Sequence, residues 1–381
     1  MLLQNQKKKF KNLNITIPVI MLLLIVIGLV VLASAVEVNK PELGGMALMR
    51  RQLFAILLGI VLIISLQFID YRVFKHHYRL IFLVTVLLLV YILFAAEQIS
   101  GARRWINLAG FRFQPSELAK IFFVFVMGAV LENREDELKT WKGFMKPFFY
   151  LAIPFVLIVL QNDLGTAMVL IAIFLVMMYI AGANRKYLLF LIGGGVLLVG
   201  IVLFLHIFFD IPVPFLHDYQ LDRLLIFLNP ESDPGGRGYN IIQSLIAVGS
   251  GGLLGKGWFA GTQNQLNFLP EKHTDFIFSV FSEEFGFLGV IVLLSLYFLL
   301  LWQFVNVALQ AKDRFGKLII SGIIAMLFFH VFENAGMAMG LMPITGIPLP
   351  FISYGGSSMV AFLVGTGIVL NVNLKKRKLS F

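Results

Sequence analysis

Apolar runs of about 20 residues recur along the whole chain, and they constrain its fold more than any other feature. A helix needs about 20 residues to cross a hydrocarbon core about 30 Å thick, because each residue advances it by about 1.5 Å. The sequence therefore predicts an all-α fold, a polytopic membrane helix bundle of about ten transmembrane helices. The predicted spans are 16–36, 51–69, 79–96, 115–131, 147–162, 164–182, 187–208, 276–304, 317–340 and 350–371.

The division between the fifth and sixth spans is short. Only the polar segment 161–165 separates them, so a broken hairpin, and hence nine or eleven spans, remains open. We interpret the chain, residues 1–381, as a single integral-membrane domain. Its parts outside the spans are an N-terminal tail at 1–15, a long loop at 209–275 before the eighth span, and a basic tail at 372–381.

The composition excludes several other classes of protein. Of the 381 residues, 59% are hydrophobic and 14% charged, whereas soluble proteins average about 25% charged. A disordered chain, a collagen-like chain and an ordinary soluble enzyme are excluded. The absence of Cys from the sequence excludes disulfides, a thiolate nucleophile and Cys-ligated metal sites. The net charge of +10 is spread between apolar blocks, which favours a lipid bilayer and no nucleic acid as the partner.

The positions of Lys and Arg predict the topology. If the N-terminus is cytoplasmic, the inner segments hold about twice as many of these residues as the outer ones. Both termini are therefore predicted to be cytoplasmic, and the loop at 209–275 lies outside. Within this loop, the apolar stretch 239–248 predicts an interfacial or re-entrant helix.

Charged residues at the start of the fourth span form the first candidate site. Glu117 and Lys120 are three residues apart on one helical face, so they can pair. The pair either pins two helices together or forms a charged wall of an outward-open cavity. Just before it, Arg103, Arg104 and Trp105 are either an interfacial belt or a grip for a diphosphate, which arginine binds through paired donors.

The segment 271–276 at the start of the eighth span is the second candidate site. Thr274 or Asp275 could serve only as the helix N-cap. Asp275 also begins a polar stripe that continues through Ser279 to Ser282 and Glu283, which would run from the outer surface into the bundle. A carboxylate at the mouth of such a stripe can act as a general base. His273 is a second candidate, better suited to orienting by hydrogen bonds.

Polar groups near the last two spans form the third candidate site. Glu333 and Asn334 lie mid-span, and the segment 343–350 is rich in proline. Pro and Gly at membrane depth are tolerated where the backbone lines a cavity. Ser353, Gly355 and Gly356 follow, and they could let backbone amides approach a phosphate or could serve close helix packing.

Taken together, these segments resemble the SEDS family of bacterial membrane proteins, which act in shape, elongation, division and sporulation. The resemblance extends from the first span to the last. The motifs that carry it are RWI at 104–106, QPSELAK at 114–120, QNDLG at 161–165, GRGY at 236–239, LPEKHTDFIF at 269–278 and LPFISYGG at 349–356. The segments 255–258 and 265–270 are more similar to the elongation branch than to the division branch.

The resemblance implies a peptidoglycan glycosyltransferase that polymerises lipid II on the outer face of the bacterial cytoplasmic (inner) membrane. The essential aspartate of the family falls on Asp275, the residue selected above as the base. The functional Arg, Glu and Lys of the family fall on Arg104, Glu117 and Lys120. We expect the remaining substrate contacts to come from the rest of these motifs: Trp105, Glu271, His273, Thr274, Ser353, Gly355 and Gly356.

The same resemblance implies what this protein works with. The substrates would be lipid II and a glycan linked to undecaprenyl diphosphate, and the partner would be a class B penicillin-binding protein, a transpeptidase. The resemblance implies no certain cofactor. A divalent cation, Mg or Mn, stays open as a cofactor, and no metal ligand is assigned. Two other functions stay open at this stage, a lipid II flippase or transporter and a non-catalytic scaffold of the cell-wall synthesis complex.

Overall fold

The computed structural model describes residues 15–37, 44–95, 97–99, 102–108, 111–209, 223 and 225–375. The predicted N-terminal tail lies outside the described residues except for residue 15, and so does the basic tail beyond residue 375. Residues 210–222 and 224 of the predicted outer loop also lie outside them.

Helices make up most of the described chain. In order, they are α1 Thr16–Ala35, α2 Gly45–Leu66, α3 Arg72–His76, α4 Tyr78–Ala95, α5 Pro115–Leu131, α6 Trp141–Met145, α7 Phe148–Leu160, α8 Leu164–Ile180, α9 Arg185–Phe209, α10 Arg237–Ser250, α11 Thr262–Gln265, α12 Ile277–Leu309, α13 Arg314–Ala338 and α14 Gly356–Leu374. Short 3₁₀ turns lie at Glu137–Lys139 and Pro230–Ser232.

Each of the ten predicted spans corresponds to a helix, which confirms the polytopic helical bundle. Among the described residues, eight helical segments are long and apolar enough to cross a membrane, with α6 and α7 counted as one. The other two are α5 and α8, each of 17 residues. The polar segment 161–165 separates α7 from α8, and Asp163 caps α8 by accepting a hydrogen bond from the Thr166 amide.

A small antiparallel sheet is the main departure from the all-α prediction. Its strands are β1 Glu97–Ile99, β2 Ala102–Leu108 and β3 Phe111–Phe113, in the order β1-β2-β3. Ile106 of β2 pairs with Phe113 of β3. The strands have three to seven residues, too few for an alternating pattern to stand out beside long apolar runs. The sheet leads the chain directly into α5.

The centre of the bundle is formed by α5, α8, α13 and α14, whereas α9 is largely exposed, as suits a lipid-facing helix. Close backbone approach brings α1 against the segment before α14. An added Cβ at Gly28 would lie only 2.3 Å from the carbonyl oxygen of Phe351, so a glycine is required there. The last helix begins at residue 356 and not at 350, because residues 349–355 form a loop that is hydrogen-bonded to its neighbours.

The long helix α12 is interrupted at Gly286, which has φ 67° and ψ −168°. The turn at 251–257 fits into this interruption. Its backbone exchanges hydrogen bonds with α12, among them Lys256 N–H to the Glu283 carbonyl at 2.9 Å and Phe287 N–H to the Gly252 carbonyl at 2.9 Å. The freed backbone groups are thus satisfied inside the protein, as a break at membrane depth requires.

A helix is present at the predicted stretch 239–248, as α10. Ser244 hydrogen-bonds with Ser279 of α12 at 2.6 Å and donates to the Ala338 carbonyl of α13 at 2.8 Å. The amphipathic helix therefore packs against the start of α12 and the end of α13.

Candidate active site

A polar cavity of about 260 Å³ lies where α5, α8 and α14 begin. Its walls are the middle of β2, the segment before α12 and the loop before α14. The lining residues are Arg104, Trp105, Gln114, Glu117, Asp163, Thr166, Arg223, Glu271, Thr274, Asp275, Thr345, Gly346, Ile347, Pro348, Tyr354, Gly355, Ser357 and Ser358. Seven of the residues predicted from sequence are in this set: Asp275, Arg104, Trp105, Glu117, Glu271, Thr274 and Gly355.

Asp275 lies two residues before Ile277, the first residue of α12, and lines the cavity; Phe276, not Thr274 or Asp275, is the N-cap. Its backbone carbonyl accepts a hydrogen bond from Asn334 Nδ2 at 2.8 Å. Its carboxylate faces Gly346, where an added Cβ would lie 3.1 Å from Oδ2. The side chain is partly exposed, so a substrate hydroxyl in the cavity could reach it.

The surroundings of Asp275 raise its pKa to about 6. The largest cause is burial, which disfavours the charged form, and the negative charge of Glu271 adds to it. The guanidiniums of Arg223 and Arg104 act in the opposite direction. The result is a carboxylate that is mostly ionised at neutral pH and is more basic than an ordinary aspartate.

Arg104 is held at the rim of the cavity by the turn between α7 and α8. Its Nε donates to the Gln161 carbonyl at 3.2 Å, and a terminal nitrogen lies 3.7 Å from Asp163 Oδ1. Asp163 also accepts hydrogen bonds from Gln114 Nε2 at 2.9 Å and Thr166 Oγ1 at 3.0 Å. These neutral donors supply much of the hydrogen bonding to the Asp163 carboxylate. The guanidinium of Arg104 therefore retains N–H groups that can donate to a ligand.

Glu117 and Lys120 form the predicted ion pair, with Nζ 3.0 Å from Oε1. Glu117 lines the cavity, but Lys120 is fully buried beneath it and does not. Lys120 instead contacts His330 Nε2 at 2.9 Å. In this structure Lys120 therefore reaches the cavity only through Glu117, and its contact with the substrate stays a prediction. The spacing of three residues fixes the pair, but does not decide which member faces the cavity.

The loop before α14 supports the segment that carries Asp275. Ser353 Oγ donates to the Thr274 carbonyl at 2.7 Å, and Tyr354 N–H donates to the His273 carbonyl at 2.9 Å. The Gly355 amide is used by Gln52 Oε1 at 3.1 Å. The amides of Tyr354 and Gly355 are thus engaged by the protein, and the approach of the Gly356 amide to a phosphate stays a prediction.

Three further predicted contact residues lie outside the cavity lining. His273 packs beside the Tyr354 ring, with ring centroids 5.7 Å apart, and burial lowers its pKa. Ser353 is buried within the loop before α14, and Gly356 is the first residue of α14. The structure therefore places these three residues in supporting positions.

The predicted polar stripe along α12 does not continue the cavity. Ser279 hydrogen-bonds with Ser244, and Glu283 pairs with Lys256 Nζ at 2.7 Å. Ser244 belongs to α10, and Lys256 belongs to the turn at 251–257 that fits into the interruption of α12. The stripe serves packing of α12 against α10 and the turn at 251–257, and only Asp275 at its end belongs to the cavity.

Several residues of the cavity were not selected from the sequence. Arg223 is the main one; its side chain donates to the Thr345 carbonyl at 3.0 Å and acts electrostatically on Asp275. No signal marks it within a long loop that has other basic residues. Gln114 and Asp163 were part of quoted motifs, but spacing along the chain does not show that they meet.

The described residues offer little to hold a metal ion. Among them, no group of three or more His, Asp or Glu side chains comes together in a geometry that could bind one. Asp163 and Glu117, the acids at the base of the cavity, already have protein partners. No metal ligand is therefore assigned among the described residues.

Comparison with known proteins supports the family resemblance seen in the sequence. The chain matches the family model FtsW/RodA/SpoVE, described as cell cycle protein, over residues 14–378. It is 40% identical to the peptidoglycan glycosyltransferase MrdB of Escherichia coli strain K12 over 333 residues, with 87% of each chain covered. It is 36% identical to the peptidoglycan glycosyltransferase RodA of Treponema pallidum strain Nichols, with 86% of this chain and 89% of that one covered.

A solved structure agrees with these relatives. A chain in a peptidoglycan synthase complex, described as coordinating polymerization and crosslinking, matches with 35% identity and a TM-score of 0.79. The match covers 95% of this chain and 97% of that one. The resemblance seen in the sequence is confirmed, and the protein belongs to the FtsW/RodA/SpoVE family, the SEDS family, of multi-pass membrane proteins.

Proposed function

We propose that this protein is a peptidoglycan glycosyltransferase that polymerises lipid II into glycan strands for cell elongation and rod shape. The observation that carries the proposal is Asp275, a basic carboxylate facing a polar cavity that also holds two guanidiniums. The relatives named above carry the same activity in their names. Since the family match covers residues 14–378, we treat residues 1–381 as one integral-membrane domain.

Asp275 would be the general base of the reaction. The 4-hydroxyl of the N-acetylglucosamine in lipid II attacks the anomeric carbon of the glycan on undecaprenyl diphosphate. Asp275 takes the hydroxyl proton as the new C–O bond forms. The bond between the anomeric carbon and the diphosphate breaks, and undecaprenyl diphosphate leaves with the electron pair.

The positive groups of the cavity would serve the leaving diphosphate. It already is a good leaving group, so one base and stabilising charge are enough, without a second carboxylate as in glycosidases. Arg104 and Arg223 line the cavity and can donate to phosphate oxygens. Lys120, one layer beneath, would hold Glu117 in place.

The active site would face outward from the cytoplasmic membrane. The helix α14 begins at the cavity and ends near Lys375, whose Nζ lies 3.6 Å from Asp70. At that far end, Arg72 pairs with Asp313 at 2.8 Å. Positive residues are enriched on the cytoplasmic side of membrane proteins, so we place this end and both termini in the cytoplasm.

The partners would be a lipid substrate and a transpeptidase. The lipid tails of the donor and acceptor would stay in the bilayer while their sugars occupy the cavity. A class B penicillin-binding protein would crosslink the new strands. The match to a complex that combines polymerization and crosslinking supports this pairing.

Reconstitution separates the proposal from a lipid II flippase and from a scaffold. Purified protein in vesicles would be given labelled lipid II, with and without the transpeptidase, and both polymer length and movement across the bilayer would be measured. The proposal expects polymer that depends on the protein. Lipid movement without polymer under every condition would support the flippase, and neither activity would support the scaffold.

A further inference from the structure

Three buried polar side chains lie on one face of α13: His330, Glu333 and Asn334. Their spacing of three and four residues places them together on the helix. Each is fully buried, and a polar group in a membrane helix must find protein partners because lipid cannot hydrogen-bond to it. The mechanism proposed above uses none of them.

Each of these three side chains has a partner in the cavity wall at residues 345–348. The contacts are Thr345 Oγ1 to the Glu333 carboxylate, Asn334 Nδ2 to the Ile347 carbonyl at 2.9 Å, and His330 Nδ1 to the Pro348 carbonyl at 3.0 Å. Thr345, Ile347 and Pro348 line the cavity. This face of α13 therefore fixes the position of one cavity wall.

Asn334 also holds the proposed base. Its Nδ2 donates to the Asp275 carbonyl at 2.8 Å as well as to the Ile347 carbonyl. A carboxamide nitrogen has two hydrogens, and both are used here. One side chain thus connects the backbone of Asp275 to the wall against which the acceptor sugar would rest.

His330 makes the corresponding connection on the other side. Its Nδ1 faces a carbonyl, which can only accept, so Nδ1 carries the hydrogen and Nε2 has a free lone pair. That lone pair accepts from the Lys120 ammonium at 2.9 Å, and Lys120 donates in turn to Glu117. The polar face of α13 therefore links the wall to both sides of the cavity.

We infer that Asn334 is a positioning residue for glycosyl transfer, which sets the distance between Asp275 and the cavity wall. The inference rests on the proposed role of Asp275 as the base. It predicts that loss of the carboxamide leaves substrate binding intact and misplaces the base. A displacement of about 1 Å at a reacting group can lower a rate by about 100-fold.

The simpler alternative is that Asn334 only stabilises the fold, and Asn371 provides a matched control for it. Asn371 is also buried, on α14, and its Nδ2 donates to two backbone carbonyls, those of Leu66 at 2.5 Å and Ile69 at 2.9 Å. This site lies at the opposite end of α14 from the cavity. A purely structural role predicts the same effect at both positions.

The test compares Asn334→Leu with Asn371→Leu in the purified, reconstituted protein. Initial rates of lipid II polymerisation give kcat and KM, and thermal unfolding gives the loss of stability. We expect kcat to fall about tenfold or more for Asn334→Leu, with KM within about twofold. Asn371→Leu should lower the melting temperature with kcat within about twofold of the wild type.

A second variant keeps the test decisive if Asn334→Leu does not fold. Asn334→Gln retains the carboxamide one methylene further out, and we expect it to recover part of kcat. Wild-type kcat in the Leu variant, or equal losses of kcat at positions 334 and 371, would overturn the inference.

The wild type and Asp275→Asn are assayed in parallel as controls for the proposed function. Failure of the wild type to polymerise lipid II, or normal activity of Asp275→Asn, would overturn the proposed function itself.

Discussion

The dependence of polymerisation on pH tests the environment of Asp275 directly. With a pKa of about 6, the carboxylate is ionised in about 90% of molecules at pH 7, about 50% at pH 6 and about 10% at pH 5. Protonation removes the base, so kcat/KM should fall as the pH drops through about 6. An ordinary aspartate would keep the rate flat to about pH 5, since its pKa is about 3.9.

Two neighbouring charges give this prediction its direction. Glu271 raises the pKa of Asp275, so Glu271→Gln should move the midpoint of the pH profile to lower pH. Arg223 lowers that pKa, so Arg223→Gln should move the midpoint to higher pH. Opposite shifts from two residues on the same cavity are hard to obtain from a general loss of structure.

The assay is the initial rate of polymerisation at lipid II concentrations well below KM, which reports on ionisations of the free enzyme. His273 is the neighbouring group that needs a control, because it too can titrate near this range. His273→Gln should leave the midpoint in place. A midpoint that disappears in His273→Gln, or that shifts in the same direction in both charge variants, would refute the assignment to Asp275.

Two further predictions concern the buried ion pair and the helix break. Lys120→Ala leaves Glu117 buried without its cation, so it should lower the free energy of unfolding by about 3–5 kcal/mol. It should also lower the rate of polymerisation more than Arg72→Ala, the control at the opposite end of the helix bundle. Equal losses of melting temperature and of rate in the two variants would contradict this prediction. Gly286→Ala should lower the melting temperature, because its φ is 67° and an added Cβ would lie 2.2 Å from a backbone nitrogen. Gly194→Ala on α9, where nothing lies within 4 Å, is the control and should cause no loss.

The membrane helices could be predicted from the sequence because the bilayer imposes a length and a polarity on them. The ten apolar runs and the ten helices correspond, although their ends differ by several residues. The start of the last span was predicted at residue 350 but lies at residue 356, because Phe351 and Ile352 are apolar but belong to a loop. Their burial against α1 depends on contacts from distant parts of the chain.

The small sheet could not be predicted in the same way. Its strands are short, and β3 is fixed by Ser357, which accepts from the Gln114 backbone amide and donates to the Arg112 carbonyl. Such contacts between distant segments leave no periodic pattern. The sequence did indicate Arg104, because a charge at a membrane boundary on the outer side needs an explanation.

The same reasoning explains which site residues were found. Asp275 and Glu117 were found because charge close to a membrane span is costly unless it has a role. Lys120 was found for the same reason, but its burial beneath the cavity could not be predicted, since burial depends on which helices surround α5. Arg223 was missed because basic residues are ordinary in a long polar loop, and only the fold brings it beside Asp275.

The most direct measurement is polymerisation of purified lipid II by Asp275→Asn, which keeps the shape of the side chain and removes the base. General-base catalysis contributes about 100-fold or more, so we expect a loss of at least that size. Thermal unfolding and size-exclusion chromatography should match the wild type, which separates lost chemistry from lost structure. Polymer of wild-type length, formed at the wild-type rate, would contradict the account.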